Sequence, residues 1–382
     1  MAPRAGHVRE ENMKAVAVFP ESREVRVVER EPPRLLQPDQ VLLRVLDIGI
    51  CGTDKEICSF EYGTPPPGDD HLVIGHEALA EVVQAGPAVQ RFRPGDLVVP
   101  SVRRPCPHPG CLACRRGHQD YCYTGDFTER GIKEAHGFMA ERIVEQERYL
   151  NPVPPDLRDI AVLAEPLTIA EKALGQIFWV MQQRPPWLDP GTPSGERGRG
   201  LSALVLGIGP VGLLGAMVLA NAGFTTYVYS RELPPSPRID LVGAIGATYV
   251  SSQAVTFAEL AEKIGNIDLI YEAVGHSHFA LAALRVLGTN GIFVLTGVPG
   301  LQAFVEADPA RLMRDMVLKN QVVLGTVNAG PDSFAAAVQH LAEFHRHWPE
   351  VTQTLTGDRY PLDEAAELVF GRPTGIKTVI SF

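Results

Sequence analysis

No stretch of this chain approaches the roughly 20 apolar residues that a membrane-spanning helix needs, so no such helix is expected. The first twelve residues, MAPRAGHVREEN, lack an apolar core, and no secretory signal is expected there. An excess of positive charge is also missing. Lys and Arg number 35 against 45 Asp and Glu, a formal net charge of −10, which argues against nucleic-acid or anionic-membrane partners. Cysteine is confined to Cys51, Cys58, Cys106, Cys111, Cys114 and Cys122, with none in the last two-thirds. Disulfide frameworks belong to small secreted scaffolds, and a chain of 382 residues is not one. The expected compartment is the cytoplasm, and a tight cysteine cluster there reads first as a metal site.

What is present organises the chain into two domains. Hydrophobic residues make up 45%, ample for packed cores. Residues 1–12 are expected as a flexible tail. From Met13 short runs such as KAVAVF, EVRVVE and QVLLRVLDIG alternate with Pro and Gly turns, a β-rich pattern. Helical periodicity sets in only at about Leu163–Val180. A first domain over 13–181, a Pro/Gly-rich linker at 182–200 and a second domain over 201–327 follow from this rhythm. In the second domain apolar strands alternate with helices, which predicts a parallel sheet covered on both faces. Residues 328–382 are expected to return to the first domain.

The second domain opens with LSALVL followed by GIGPVG. Gly207, Gly209 and Gly212 fit the dinucleotide fingerprint in its required strand–turn–helix context. The competing reading is an ordinary glycine-rich turn. Val211 in the turn and Thr296 at the end of GIFVLTG complete the cofactor candidates there. The second strand ends Tyr229-Ser230-Arg231-Glu232, without the acid that an NAD site places at that point. Arg231 can pair with a 2′-phosphate and Ser230 can add a hydrogen bond. NADP is therefore expected, with NAD also possible.

Cys106, Cys111, Cys114 and Cys122 are spaced C-x4-C-x2-C-x7-C inside a lobe at 101–125, which suits a closed structural zinc site. Cys51, His76 and Glu77 offer one sulfur, one nitrogen and one carboxylate, the mixed set of a catalytic zinc. Glu165 is a fourth candidate ligand. The plainer reading of LVIGHE is a buried strand ending in a polar turn. Thr53, two residues beyond Cys51, can pass an alcohol proton. Cys58 reads as structural.

CGTD (51–54), GHE (75–77), FRPGD (92–96), the four-cysteine lobe, EPL (165–167) and GIGPVG (207–212) occur in an order that resembles the zinc-containing medium-chain dehydrogenases over nearly the whole chain. CGTDKEI, YCYTGDFTERGI, Glu171-Lys172-Ala173, YSRE and GTVNAG make it most similar to the archaeal-type glucose dehydrogenases. The resemblance implies an α/β protein with a GroES-like catalytic domain and a Rossmann domain. It implies a catalytic zinc on Cys51, His76, Glu77 and Glu165, and C1 oxidation of an aldose, with D-glucose first. Glu129 and Asn328, with Glu165, are implied near the sugar, and Lys377 at the cofactor phosphates. A homo-oligomer, dimer or tetramer, is likewise implied. Polyol or simple-alcohol oxidation is the alternative, and a non-catalytic NADPH-binding protein the rival of another class. Three departures are visible. Pro107–Gly110 widen the first cysteine gap and offer His108 as a competing ligand. Ala80 replaces a usual glycine, and Ser230 stands where relatives often carry a first arginine.

Overall fold

The computed structural model describes residues 12–184, 187, 191–300, 305–371 and 375–382. The expected tail, except for Asn12, and part of the expected linker lie outside these residues. Contacts divide the chain into Met1–Glu165 with Thr356–Phe382 as one unit and Pro166–Leu355 as the other.

In the first unit the strand Gln40–Gly49 is the organiser. It pairs antiparallel with Glu77–Ala85, Arg142–Gln146 and Thr378–Ser381. Its side chains Val41, Leu43, Val45 and Ile48 are fully buried, and they join Val16, Ile74, Phe138 and Ile380 in one apolar core. Register shifts at Leu42/Leu43 and Val45/Asp47 bend the strand, as bulges do where a sheet curls on itself. Asp47 is buried in that core and is held by Arg158, by Arg359 Nη1 at 2.7 Å and by Ser381 Oγ at 2.7 Å. A buried carboxylate without such partners would be costly, so these bonds fasten the C-terminal return to the sheet.

That return begins at Thr356 and not at 328, and the helix Ala164–Met181 passes into the second unit directly after Glu165. The sequence reading had placed both stretches in the first domain. Two polar ties account for the difference. His340 Nδ1 meets Glu171 Oε1 at 2.7 Å, and Asn221 Nδ2 donates to Glu343 Oε2 at 3.0 Å. The helix Pro331–His347, which also buries Phe334, Ala337, Leu341 and Phe344, is thereby bound to two helices of the second unit. Composition does not reveal which sheet a helix covers.

The second unit holds a six-stranded sheet in the order Thr248–Ser251, Thr225–Ser230, Ser202–Leu206, Leu269–Glu272, Ile292–Leu295, Val322–Gly325, all parallel. The first strand in sequence lies inside the sheet, the doubly wound arrangement of dinucleotide-binding domains. Ala203 to Leu206 are wholly buried, which explains their uninterrupted apolar run. No helix among the described residues is long and apolar enough to cross a membrane.

One feature of the first unit governs its response to acid. His136 stacks on His71 at 5.1 Å, its Nδ1 accepts from Val73 N–H, and its Nε2 lies 2.9 Å from Asp69 and 3.3 Å from Arg30. Burial, then the charges of Arg30 and His71, push this imidazole down to about 4. The folded chain thus takes up its proton later than the unfolded chain, whose histidines titrate near 6.5. Stability from this ring is complete above about pH 6.5 and is lost as pH falls toward 4. The loss is on the order of 2 kcal/mol once solvent screening of the partly exposed ring is allowed for. His136→Gln is expected to flatten this limb in urea titrations between pH 7 and 4. An unchanged slope would refute the assignment.

Candidate active site and metal centres

Cys51 caps the helix Gly52–Cys58, and its backbone N–H donates to Asp54 Oδ2 at 2.8 Å. The Asp54 carboxylate is fully buried and also accepts from Gly75 N–H at 3.3 Å. Its Oδ1 stands 3.4 Å from His76 Nδ1. One carboxylate thereby ties the cysteine turn to the histidine, the outer-shell partner that orients a metal-binding imidazole. The CGTD motif alone does not announce this role of Asp54. The signal was the acid three residues after the cap, the capping-box spacing.

Cys51 Sγ, a His76 ring nitrogen and a Glu77 carboxylate oxygen all lie within 4.8 Å of one another. A tetrahedral zinc would draw such donors to about 3.3–3.8 Å apart. His76 and Glu77 are 4% and 1% exposed. Burial alone would lower the His76 imidazole, but Asp54 and Cys51 outweigh it and raise it well above the ordinary range. Burial alone would raise Asp54, yet His76, the Cys51 N–H and Lys377 hold it low. A pocket that favours positive charge this strongly fits a metal cation.

Lys377 adds to that picture. Its buried ammonium sits on Glu77 Oε2. Desolvation would discharge it, but Glu77, Cys51 and Glu165 keep its affinity for the proton above the usual lysine value. A cation on a chain strand-bound at Thr378 is held inside this acidic site. Glu165 is nearly buried and is pushed up to about 7, mainly by desolvation, with Glu77 adding and His76 opposing. It stands beside the three donors but outside their 4.8 Å group. Thr53 lies half-buried in the first helical turn.

The turn that follows Glu129 is stitched through backbone to the segment carrying His76. Gly131, at φ +76°, approaches Gly75 so closely that a Cβ there would meet the Gly75 carbonyl oxygen at 2.5 Å. Phe138 N–H also donates to the Gly75 carbonyl. Glu129 is 5% exposed and pairs with Arg103 at 3.0 Å.

The sulfurs of Cys106, Cys111, Cys114 and Cys122 form the second group within 4.8 Å, with Cys111 and Cys122 3.9 Å apart. The widened gap does not prevent their convergence, and His108 is turned to Asp126. Cys58 is buried in the core, and desolvation pushes its thiol up to about 12.

In the second unit Ser202–Leu206 runs into the turn Gly207–Gly212 and the helix Pro210–Asn221. A Cβ on Gly212 would fall 2.4 Å from the Gly207 carbonyl oxygen. Val211 is half-buried. Ser230 is buried, and its Oγ accepts from Glu232 N–H at 3.2 Å and lies 3.3 Å from Tyr249 Oη. Arg231 is exposed, and Gln253 Nε2 holds its carbonyl at 2.7 Å. Tyr249, in the strand Thr248–Ser251, and Gln253, in the turn after it, brace this turn, a relation no local motif announces. Thr296 Oγ1 donates to the Glu272 carbonyl at 2.6 Å. Asn328 takes the left-handed φ of +56°, its Oδ1 accepts from Ala329 N–H, and Lys172 Nζ holds the Val327 carbonyl at 3.0 Å.

Comparison with known proteins bears on the whole chain. Residues 37–155 match the alcohol dehydrogenase GroES-like domain and residues 158–382 the glucose dehydrogenase C-terminus. The chain is 37% identical over 369 residues to a glucose 1-dehydrogenase of Methanocella arvoryzae, covering 96% of this chain and 99% of that one. It is 38% identical over 372 residues to the glucose 1-dehydrogenase of Thermoproteus tenax, covering 96% and 99%. Among solved structures, Haloferax mediterranei glucose dehydrogenase in complex with NADP, Zn and gluconolactone is similar at a TM-score of 0.85 and 34% identity, covering 97% and 99%.

Proposed function

The chain belongs to the glucose dehydrogenases of the zinc-containing medium-chain family, and we propose that it oxidises the C1 hydroxyl of D-glucose to the lactone with NADP. The observation that carries this reading is the convergence of half-buried Cys51 with buried His76 and Glu77, with Gly131, two residues after Glu129, packed on Gly75. Cys51, His76 and Glu77 would hold the catalytic zinc, with Glu165 as a fourth, loosely held ligand, and the four lobe cysteines the structural one. When bound, zinc supplies Lewis acidity toward the substrate oxygen and NADP supplies the hydride acceptor. Thr53 passes the C1 hydroxyl proton outward. Glu129 bonds the sugar hydroxyls. An apolar alcohol would leave the buried Glu129 without those bonds, which favours a polyhydroxylated substrate.

The glycine turn receives the pyrophosphate and Arg231 the 2′-phosphate. Because Ser230 Oγ is engaged with Glu232 N–H, the discriminating charge rests on Arg231. The enzyme is proposed to be cytoplasmic, in keeping with six free cysteines. It is also proposed to be a homo-oligomer. The outer edge of Val322–Gly325 has no strand partner among the described residues, and Val317, Leu318, Val323 and Val327 near it are exposed. A second copy adding its own edge would cover them. Light scattering should then give at least a dimer mass.

The test is reduced-cofactor formation by zinc-loaded protein with NADP and NAD against glucose, galactose, xylose, sorbitol and ethanol. Aldose turnover with NADP is expected. Arg231→Ala should raise KM for NADP about tenfold or more and leave that for NAD nearly unchanged, the size of one lost charge-assisted contact. Turnover of sorbitol or ethanol alone would overturn the substrate assignment.

A further inference from the structure

Arg103 is 7% exposed and has so far been only the partner of Glu129. Its Nε and Nη2 each stand 3.0 Å from Glu129 Oε1. Its Nη1 donates to the Asp120 carbonyl at 3.2 Å, and its guanidinium lies 3.8 Å over the Phe127 ring. The backbones of Arg103 and Glu129 are also opposite each other in an antiparallel pair. The Asp120 carbonyl belongs to the turn Gln119–Tyr121, directly before Cys122, whose N–H closes on Gln119. One planar fork therefore reaches the four-cysteine lobe with one nitrogen and the sugar-site carboxylate with two others. A lysine ammonium lacks this divided geometry, and a buried carboxylate deprived of its cation does not keep its place.

Resting on the reading that Glu129 receives sugar hydroxyls, we propose that Arg103 is a positioning residue of the substrate site. The four-cysteine lobe orients Arg103 through the Asp120 carbonyl, and Arg103 orients Glu129. The lobe then has a part in sugar recognition beyond holding a loop.

A mutant cycle tests this with zinc-loaded enzyme, reading kcat, KM for glucose, KM for NADP and zinc content. Glu129→Gln and Arg103→Met are each expected to raise KM for glucose about tenfold, with KM for NADP within about twofold and both zincs retained. The double variant should be no worse than the poorer single one, because both changes break one element. Cys122→Ser, which loosens the turn carrying Asp120, should raise KM for glucose in the native background and not beside Glu129→Gln. Multiplying effects of Arg103→Met and Glu129→Gln, or an unchanged glucose KM in Arg103→Met, overturn the proposal. An additive Cys122→Ser effect overturns its lobe half. If Arg103→Met does not fold, Arg103→Lys decides, since it keeps the charge and loses the fork; a native glucose KM there refutes the positioning role. If Glu129→Gln itself leaves glucose KM unchanged, the sugar role of Glu129 fails first, a result distinct from the failure of Arg103.

Discussion

His76→Ala is expected to abolish sugar oxidation and to release one of two zinc equivalents, leaving the four-cysteine zinc in place. His76 is the imidazole donor of the group with Cys51 and Glu77, and alanine restores no donor. Lewis-acid stabilisation of the substrate oxygen is worth several kcal/mol, so kcat should fall about a thousandfold or more at 1.36 kcal/mol per decade. Asp54→Asn makes the graded comparison. It keeps the shape of the group that ties Cys51 N–H and Gly75 N–H but removes the charge facing His76. A loss of about 10–100-fold is expected, the range for outer-shell partners. Metal analysis of both variants beside their kinetics checks the assignment. Near-native kcat in His76→Ala with two zincs retained would mean that catalysis runs elsewhere.

Gly212→Ala is expected to cost nearly all useful NADP affinity. The added methyl would sit 2.4 Å from the Gly207 carbonyl oxygen and 2.9 Å from its carbon, both backbone atoms that no rotamer change can move. Gly207 is itself held at φ +102° and bonded through its N–H to the Tyr229 carbonyl. The turn must therefore open. Overpacking of this kind costs about 1–3 kcal/mol, and if the strain is released in the turn, cofactor affinity falls up to about a hundredfold. Titration of NADPH fluorescence would read it, with thermal unfolding reporting the stability share. Native affinity in a folded Gly212→Ala protein would place the pyrophosphate away from this turn.

The motifs that were legible share one property: their chemistry is local. GIGPVG needs only a strand before it and a helix after it, and both are written in the neighbouring apolar periods. The GroES-like and Rossmann architecture could be named for the same reason, since six motifs in order constrain a chain more than any one does. The position of Lys377 near the end of the chain says nothing of the neighbour it meets. Its ammonium reaches Glu77 only because Thr378–Ser381 pairs with Gln40–Gly49, a contact across more than three hundred residues. The helix Pro331–His347 was assigned to the wrong unit on similar grounds: the Glu171 and Glu343 contacts that hold it are far apart in sequence.

By itself, then, the sequence determined the two-domain class, the glycine turn between a strand and a helix, and the kinds of donor that meet in two clusters. Those follow from side-chain chemistry and from periods of two and 3.6 residues, which any short window carries. Only the tertiary structure decided that Cys51, His76 and Glu77 meet, that Asp54 braces the histidine, and that Arg103 joins the cysteine lobe to Glu129. Each of these depends on burial. A carboxylate or guanidinium taken out of water must find its partner wherever the fold brings one, and sheet pairing, not spacing along the chain, settles which residue that is.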